Sequence, residues 1–325
     1  MRILLTGGTG FFGKALLRHW VESERNGRQV PRVTILSRSP AEFLKIHPEF
    51  SAHSWLRFHQ GDILRPDTLP TAPGFTHILH AATDSTYGPQ IVPLDRFRQI
   101  LDGTRNMLDY AVGRGISRFL LTSSGGVYGP QPPDSSHLIE TYTGMPDPLE
   151  PKNAYSVAKR CAEHLCLLYQ DSYSIDIIIA RCFAFVGQDL PCNVHFAVGN
   201  FIRDALQSPE IVIKGNGAPI RSYMDQRDLA NWLFTLLQEG APGSAYNVGS
   251  DNPISIKDLA EKIRDLLAPG KRVVIQNLND GLDGRDRYVP STCKARTELG
   301  LSATYTLDQA ILRTAEFIEL KGGCD

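Results

Sequence analysis

The stretch Arg2-Ile3-Leu4-Leu5-Thr6-Gly7-Gly8-Thr9-Gly10-Phe11-Phe12-Gly13 decides how the fold is read. A strand-length apolar run enters a glycine-rich turn. The turn opens a segment with Phe12, Leu16 and Trp20 at four-residue spacing, the period of one helix face. It satisfies both G-x-G-x-x-G and G-x-x-G-x-x-G. Glycines there allow a tight bend and a close backbone approach, so a pyrophosphate can rest on the N–H groups of the helix N-terminus. Strand, turn and helix together predict a dinucleotide pocket built on Gly7, Gly10, Phe11, Phe12 and Gly13, with a merely structural glycine turn as the alternative.

Working outward, Ile3 to Thr6, Val33 to Leu36, Ile78 to Ala81, Phe119 to Ser123 and Ile175 to Arg181 read as strands with helical patterns between them. The helix after Asn153 is expected to bury Ala154, Ala158, Cys161, Leu165 and Leu168 on one face. Such alternation predicts an α/β fold of Rossmann type: a doubly wound parallel sheet with helices on both faces. Past Arg181 the alternation lapses into shorter, Gly/Pro/Asn-punctuated elements, which predicts a smaller mixed α/β C-terminal substrate lobe. The dinucleotide domain is expected to hold residues 1–180 plus about 220–248, and the second lobe about 181–219 plus 249–325. Gly129 to Pro151 carries six prolines and reads as a long loop over the sheet edge, of the kind that often serves as a lid.

Among 325 residues, 34 Lys plus Arg face 35 Asp plus Glu, so no basic field points to nucleic acid or an anionic membrane. Apolar runs such as Ile177 to Ala180 are far shorter than the roughly 20 residues that span a bilayer. The N-terminus has no secretory pattern, and a cytoplasmic location is expected. The six cysteines, at 161, 166, 182, 192, 293 and 324, form no Cys-x-x-Cys pair or zinc spacing, so they read as buried thiols with no metal site and no disulfide framework.

The second strand ends in Ser37-Arg38, where a carboxylate would hold the ribose hydroxyls of NAD. A hydroxyl followed by a guanidinium suits a 2'-phosphate, so NADP(H) is favoured over NAD(H); a solvated loop arginine is the alternative. Tyr155 and Lys159 lie one helical turn apart and project from one face. A free phenol, with a pKa of about 10, is a poor base near neutrality, but a neighbouring ammonium favours phenolate and makes the pair a usable proton acceptor.

These motifs join Thr122-Ser123-Ser124-Gly125-Gly126-Val127-Tyr128-Gly129 after one strand and His80-Ala81-Ala82 after another. Together they resemble the extended short-chain dehydrogenase/reductase family, in its nucleotide-sugar epimerase, dehydratase and ketoreductase subgroup. Asn200-Phe201-Ile202, Arg221-Ser222-Tyr223, Asp228 and Arg287-Tyr288-Val289-Pro290 extend the likeness over nearly the whole chain. The resemblance implies that Ser124 hydrogen-bonds the reacting sugar oxygen, Tyr155 exchanges its proton, and Lys159 holds the nicotinamide ribose. It further implies that Asp62, followed by Ile63, contacts adenine, that Ala81, Ala82 and Thr83 line the cofactor, and that Asn106 braces the active-site backbone. Asp62 could equally cap the following turn. In the second lobe Arg221, Arg285 and Arg287 are candidates to clamp a diphosphate, and Asn200 and His195 to face the sugar or base. A nucleotide-diphosphate sugar is the partner implied, in a homodimer.

Two departures bear on the reaction. The Asp-Glu pair that handles protons in the subgroup's dehydratases is replaced by Gly125 and Gly126, and Ala184 stands where the subgroup usually shows Asn. The expected activity is hydride transfer at a ring carbon, C4, by a ketoreductase or epimerase. The alternatives are a dehydratase with a rearranged acid/base pair and a non-catalytic dinucleotide-sensing or assembly protein.

Overall fold

The computed structural model describes residues 1–83, 90–277 and 287–321. Its chain forms two compact units, residues 1–127, 146–181 and 230–246 in the first and 128–145, 182–229 and 247–325 in the second. Residues 128–145, 220–229 and 247–248, expected in the dinucleotide domain, cluster with the second unit.

The first unit is built on β1 (Arg2–Thr6), α1 (Phe11–Arg25), β2 (Arg32–Ser37), α2 (Pro40–Ile46), β3 (Leu56–Gln60), β4 (His77–His80), α3 (Pro93–Gly113), β5 (Arg118–Ser124), α4 (Ala154–Ser172) and β6 (Asp176–Cys182). With β11 (Ser244–Val248) at one edge, the strands make a seven-stranded sheet of order β11-β6-β5-β4-β1-β2-β3. The ladders joining β3, β2, β1, β4 and β5 are parallel, as in a doubly wound fold. Helices cover both faces of such a sheet, which is why its strands read as unbroken apolar runs: Ile3, Leu4, Leu5, Ile78, Leu79, Phe119, Leu120 and Leu121 are all fully buried. Strand order reverses at β1, which pairs with β2 on one side and β4 on the other. Ligand crevices in open α/β sheets form at such a switch point, beyond the carboxyl ends of the strands.

On α1 the buried residues include Gly13, Leu16, Leu17 and Trp20, and the Trp20 ring meets Trp55 and Phe234 edge-on at 6.2 and 5.6 Å. On α4 the buried stripe runs through Ala158, Lys159, Ala162, Glu163 and Cys166. Cys161 and Leu168 are exposed instead of buried, because the face that docks on the sheet carries two charged residues whose partners lie inside.

The second unit has short pieces. Strands β7 (Phe185–Val186) and β10 (Met224–Asp225) pair in parallel, as do β8 (Glu210–Ile213) and β13 (Arg272–Ile275). A three-stranded sheet of order β12-β9-β14 joins Ile254–Ser255, Ile220–Arg221 and Arg287–Tyr288. Helices α5 (Ala197–Gln207), α7 (Ile256–Leu267), α8 (Cys293–Leu299) and α9 (Leu307–Lys321) complete it, while α6 (Gln226–Glu239) runs on into the first unit. Ser255 caps α7 by accepting from the Asp258 N–H at 3.0 Å.

The proline-rich loop does not have the free body expected of a lid. Leu138 is 1% exposed and exchanges backbone hydrogen bonds with Val289 and Ser291 at 2.8 and 2.7 Å. Gln131 Oε1 accepts from the Val289 N–H, Glu140 accepts from the Asn247 N–H, and Asn247 Nδ2 donates to the Leu138 carbonyl. Proline removes helix and ladder options, and these side-chain bonds satisfy the backbone groups left over. Among the described residues no helix is long and apolar enough to cross a membrane.

Candidate active site

The glycine turn lies at the switch point. Gly7 has φ of +71°, and a Cβ on it would fall on the Ala81 carbonyl. A Cβ on Gly13 would fall on the Gly8 backbone, so glycine lets the first turn of α1 pack onto the loop. Gly10 is the N-cap and supplies no side-chain bond, and the first turn has no acidic residue. A cradle that two Cβ atoms would fill, opening on an uncapped helix N-terminus, fits a pyrophosphate. Phe11 and Phe12, half-buried, follow directly, their rings 5.9 Å apart.

At the end of β2 the Ser37 hydroxyl accepts from the Ser39 N–H at 3.3 Å, and Arg38 is exposed. One carboxylate oxygen of Asp62 accepts from the Leu64 N–H at 2.9 Å, so Asp62 does cap its turn. Asn106 Nδ2 donates to the Ile63 carbonyl at 2.8 Å. It therefore braces the backbone of the Asp62-Ile63 turn, from a position two turns past Gln99 on α3, beside Ile63 packed on Gly103.

Ser124 ends β5, nearly buried, and its Oγ accepts from the Gly126 N–H at 3.1 Å. Tyr155 opens α4, half-buried, and the Arg96 guanidinium carbon lies 4.2 Å from its ring centroid. Lys159, 2% exposed, donates from Nζ to Thr83 Oγ1 at 2.9 Å and to the Thr122 carbonyl at 2.7 Å. Thr83 thus meets the lysine, a contact the sequence reading did not foresee. Behind them Thr104 donates its hydroxyl proton to the Ile100 carbonyl, so it must accept from His80 Nε2, leaving His80 Nδ1 to accept from Thr6. Burial first, then the nearby Lys159 charge, push the His80 imidazole down to about 3, so it is neutral.

Deeper on α4, Glu163 accepts from the Ser123 hydroxyl at 2.5 Å and from Arg181 Nε and Nη2 at 3.1 and 2.7 Å. This triad ties α4 to β5 and β6 beneath Ser124. Sequence alone missed it, although Glu163 follows Lys159 at the same four-residue step that separates Tyr155 from Lys159.

In the second unit Asn200 donates to the Val194 carbonyl at 2.7 Å, and the His195 ring meets that of Phe196 at a tilt, with centroids 4.2 Å apart. Arg221 lies opposite Tyr288, and Arg287 opposite Ile220, in the β9–β14 ladder. Side chains alternate along a strand, so the two arginines leave the ladder on opposite faces. Arg285 lies outside the described residues. Among the described residues no group of three or more His, Cys, Asp or Glu is placed to hold a metal.

A family model described as the NAD dependent epimerase/dehydratase family matches residues 3–249. The chain belongs to that family. It is thus an NAD-dependent enzyme of the epimerase/dehydratase class, which displaces the non-catalytic alternative. UDP-glucuronic acid decarboxylase 3 of Arabidopsis thaliana is 30% identical over 329 residues, 99% of this chain and 90% of that one. A probable dTDP-glucose 4,6-dehydratase of Sinorhizobium fredii is 28% identical over 347 residues, 98% of this chain and 92% of that one. DesIV, a dTDP-glucose 4,6-dehydratase from Streptomyces venezuelae with NAD and TYD bound, shares the fold with a TM-score of 0.82 at 24% identity, covering 98% of this chain and 97% of that one.

Proposed function

We propose that this enzyme transfers hydride at C4 of a nucleotide-diphosphate-linked hexose, using Ser124, Tyr155 and Lys159. The observation that carries the reading is the strand end Ser124-Gly125-Gly126, which offers a hydroxyl and no carboxyl group. A Cβ at Gly126 would lie 2.6 Å from Ser156 Oγ, so an acidic side chain there would have to displace that hydroxyl. Elimination across C5 and C6 needs a base and an acid that glycine does not supply.

In this scheme Tyr155 takes the proton of the C4 hydroxyl as the carbonyl forms and returns it on reduction, while Ser124 orients the same oxygen. Lys159, whose Nζ donates to Thr83 and to the Thr122 carbonyl, would hold the nicotinamide ribose and lower the tyrosine pKa. The nicotinamide, bound with its pyrophosphate on Gly7, Gly10, Phe11, Phe12 and Gly13, supplies hydride acceptance and return. Asp62, followed by Ile63, meets its adenine, and Ala81, Ala82 and Thr83 line it behind the ribose. Asn200, Arg221 and Arg287 are the residues proposed to contact the sugar nucleotide, each on its own.

Oxidative decarboxylation of a nucleotide-linked uronate is the second reading, favoured by the full-length likeness to UDP-glucuronic acid decarboxylase 3. A C4 ketone is β to the C6 carboxylate, so carbon dioxide can leave without a side-chain base, in keeping with Gly125 and Gly126. Incubation with sugar nucleotides in deuterated water separates the outcomes. Inversion or net reduction at C4 supports the proposal, carbon dioxide release supports the second reading, and water loss with deuterium at C5 refutes a hydride-only site.

NADP(H) is proposed as the preferred cofactor, supported by exposed Arg38 beside Ser37; tighter binding of NAD(H) in a titration overturns that preference. A homodimer is supported by exposed Leu94 on α3 and Leu167 and Leu168 on α4, and light scattering tests it. A cytoplasmic setting is supported by the five described cysteines, which are thiols and not disulfides.

A further inference from the structure

We infer that Arg96 is a positioning residue for the reaction, a second cation that acts through Tyr155 and holds its phenol toward phenolate. The inference rests on the catalytic role proposed for Tyr155, but its first test does not. Arg96 lies in the first turns of α3, and α3 packs along α4 in the same unit. Its guanidinium carbon sits 4.2 Å from the centre of the Tyr155 ring. A guanidinium over an aromatic face is attracted by the ring's negative quadrupole, and the attraction grows when the ring bears a full negative charge. An opposite charge at this range lowers an acid's pKa.

Among the described residues, the charged and polar groups on the elements beside Tyr155 give the sign of the effect. Its own helix brings Lys159 one turn on, a second cation. Strand β4 brings His80, held neutral by burial. Strand β5 brings the Ser124 hydroxyl, and the carboxylate further along α4, Glu163, is engaged by Arg181 and Ser123. Asp95 and Arg98, the charged neighbours of Arg96 in sequence, line a separate surface hollow with Leu64 and Pro66. Among the described residues, two cations therefore flank a phenol that must lose its proton near neutral pH, and the one over the ring is fixed from another helix. A phenolate so flanked is poised without relying on Lys159 alone, which is already committed to Thr83 and Thr122.

The test compares wild type with Arg96→Met, which keeps an unbranched apolar stem, and Arg96→Lys, which keeps the charge. Ultraviolet titration of the protein without cofactor, minus the same titration in a Tyr155→Phe background, isolates the ionisation of Tyr155. Arg96→Met should raise that midpoint by about one pH unit, the low end of the effect of a nearby opposite charge, while Arg96→Lys moves it by less than half as much. With substrate, the acidic limb of kcat/KM should move upward by the same amount. An unchanged midpoint in folded Arg96→Met overturns the inference, as does an equal rise in both variants, which would make the contact one of packing. Should no sugar nucleotide be turned over, the proposed function fails while the titration still decides the role of Arg96.

Discussion

Replacing Arg181 by Met should destabilise the first unit by about 3–5 kcal/mol, the usual result of stripping one partner from a buried ion pair. The side chains of Arg181 and Glu163 are only 15% and 8% exposed, so little water can take over. In Arg181→Met the carboxylate keeps the Ser123 hydroxyl and loses both guanidinium contacts, which leaves a buried charge with one neutral donor. The double variant Glu163→Leu/Arg181→Met removes the uncompensated charge as well, and should recover most of the loss, ending within about 2 kcal/mol of wild type. All three tryptophans, Trp20, Trp55 and Trp232, belong to the first unit, so urea unfolding followed by tryptophan fluorescence reads that unit alone. A shift of less than about 1 kcal/mol for Arg181→Met, or a double variant whose loss equals the sum of the two single losses, would refute the reasoning.

Gly13→Ala should weaken dinucleotide binding by about tenfold or more, because its Cβ meets the Gly8 backbone and forces α1 away from the turn; calorimetry with NAD(H) and NADP(H) measures it. Tyr155→Phe should cost about two to four orders of magnitude in turnover with dinucleotide affinity nearly intact, the usual scale of acid/base help, and near-normal turnover would remove Tyr155 from the mechanism. Arg38→Ala should erase most of any preference for NADP(H), a charge-assisted contact worth roughly 1.5–3 kcal/mol. His80 has its pKa depressed from 6.5 to about 3 in the fold, so its contribution is full above 6.5 and is lost as pH falls toward 3. Stability of wild type should therefore fall on acidification through that window by up to about 1.4 kcal/mol per pH unit more steeply than that of His80→Gln, measured as urea midpoints from pH 7 to 4.

The sheet was legible because both faces of a parallel strand are buried, so β1 and β5 announce themselves as apolar runs. The glycine turn was legible because Gly7 and Gly13 have steric reasons to lack a side chain. The buried face of α4 was misread for a physical reason: hydrophobicity marks cores, and this face buries Lys159 and Glu163, whose partners come from Thr83, Thr122, Ser123 and Arg181, far away in sequence. Asn106 was legible as a backbone brace, but helix position alone does not reveal which carbonyl lies opposite it, and that carbonyl is Ile63's. The two exposed cysteines, Cys161 and Cys293, show that composition predicts thiol burial only on average. The proline-rich loop was rightly read as irregular, but the bonds holding Leu138 join residues more than a hundred positions apart and leave no local trace.

The division of the chain has a consequence for its synthesis and for its inheritance. The polypeptide passes from one unit to the other after residues 127, 145, 181, 229 and 246. No single cut yields either half, and a ribosome releasing the chain in order cannot supply the first unit's last strand until Ser244–Val248 emerges. Six of the seven strands, β1 to β6, can assemble early, but the sheet edge beyond β6 stays open through more than sixty further residues of translation, a span set by Cys182 and Ser244. A nascent chain of this protein therefore exposes that edge until late in its synthesis, and recombination that exchanges one long contiguous block would carry off pieces of both units together.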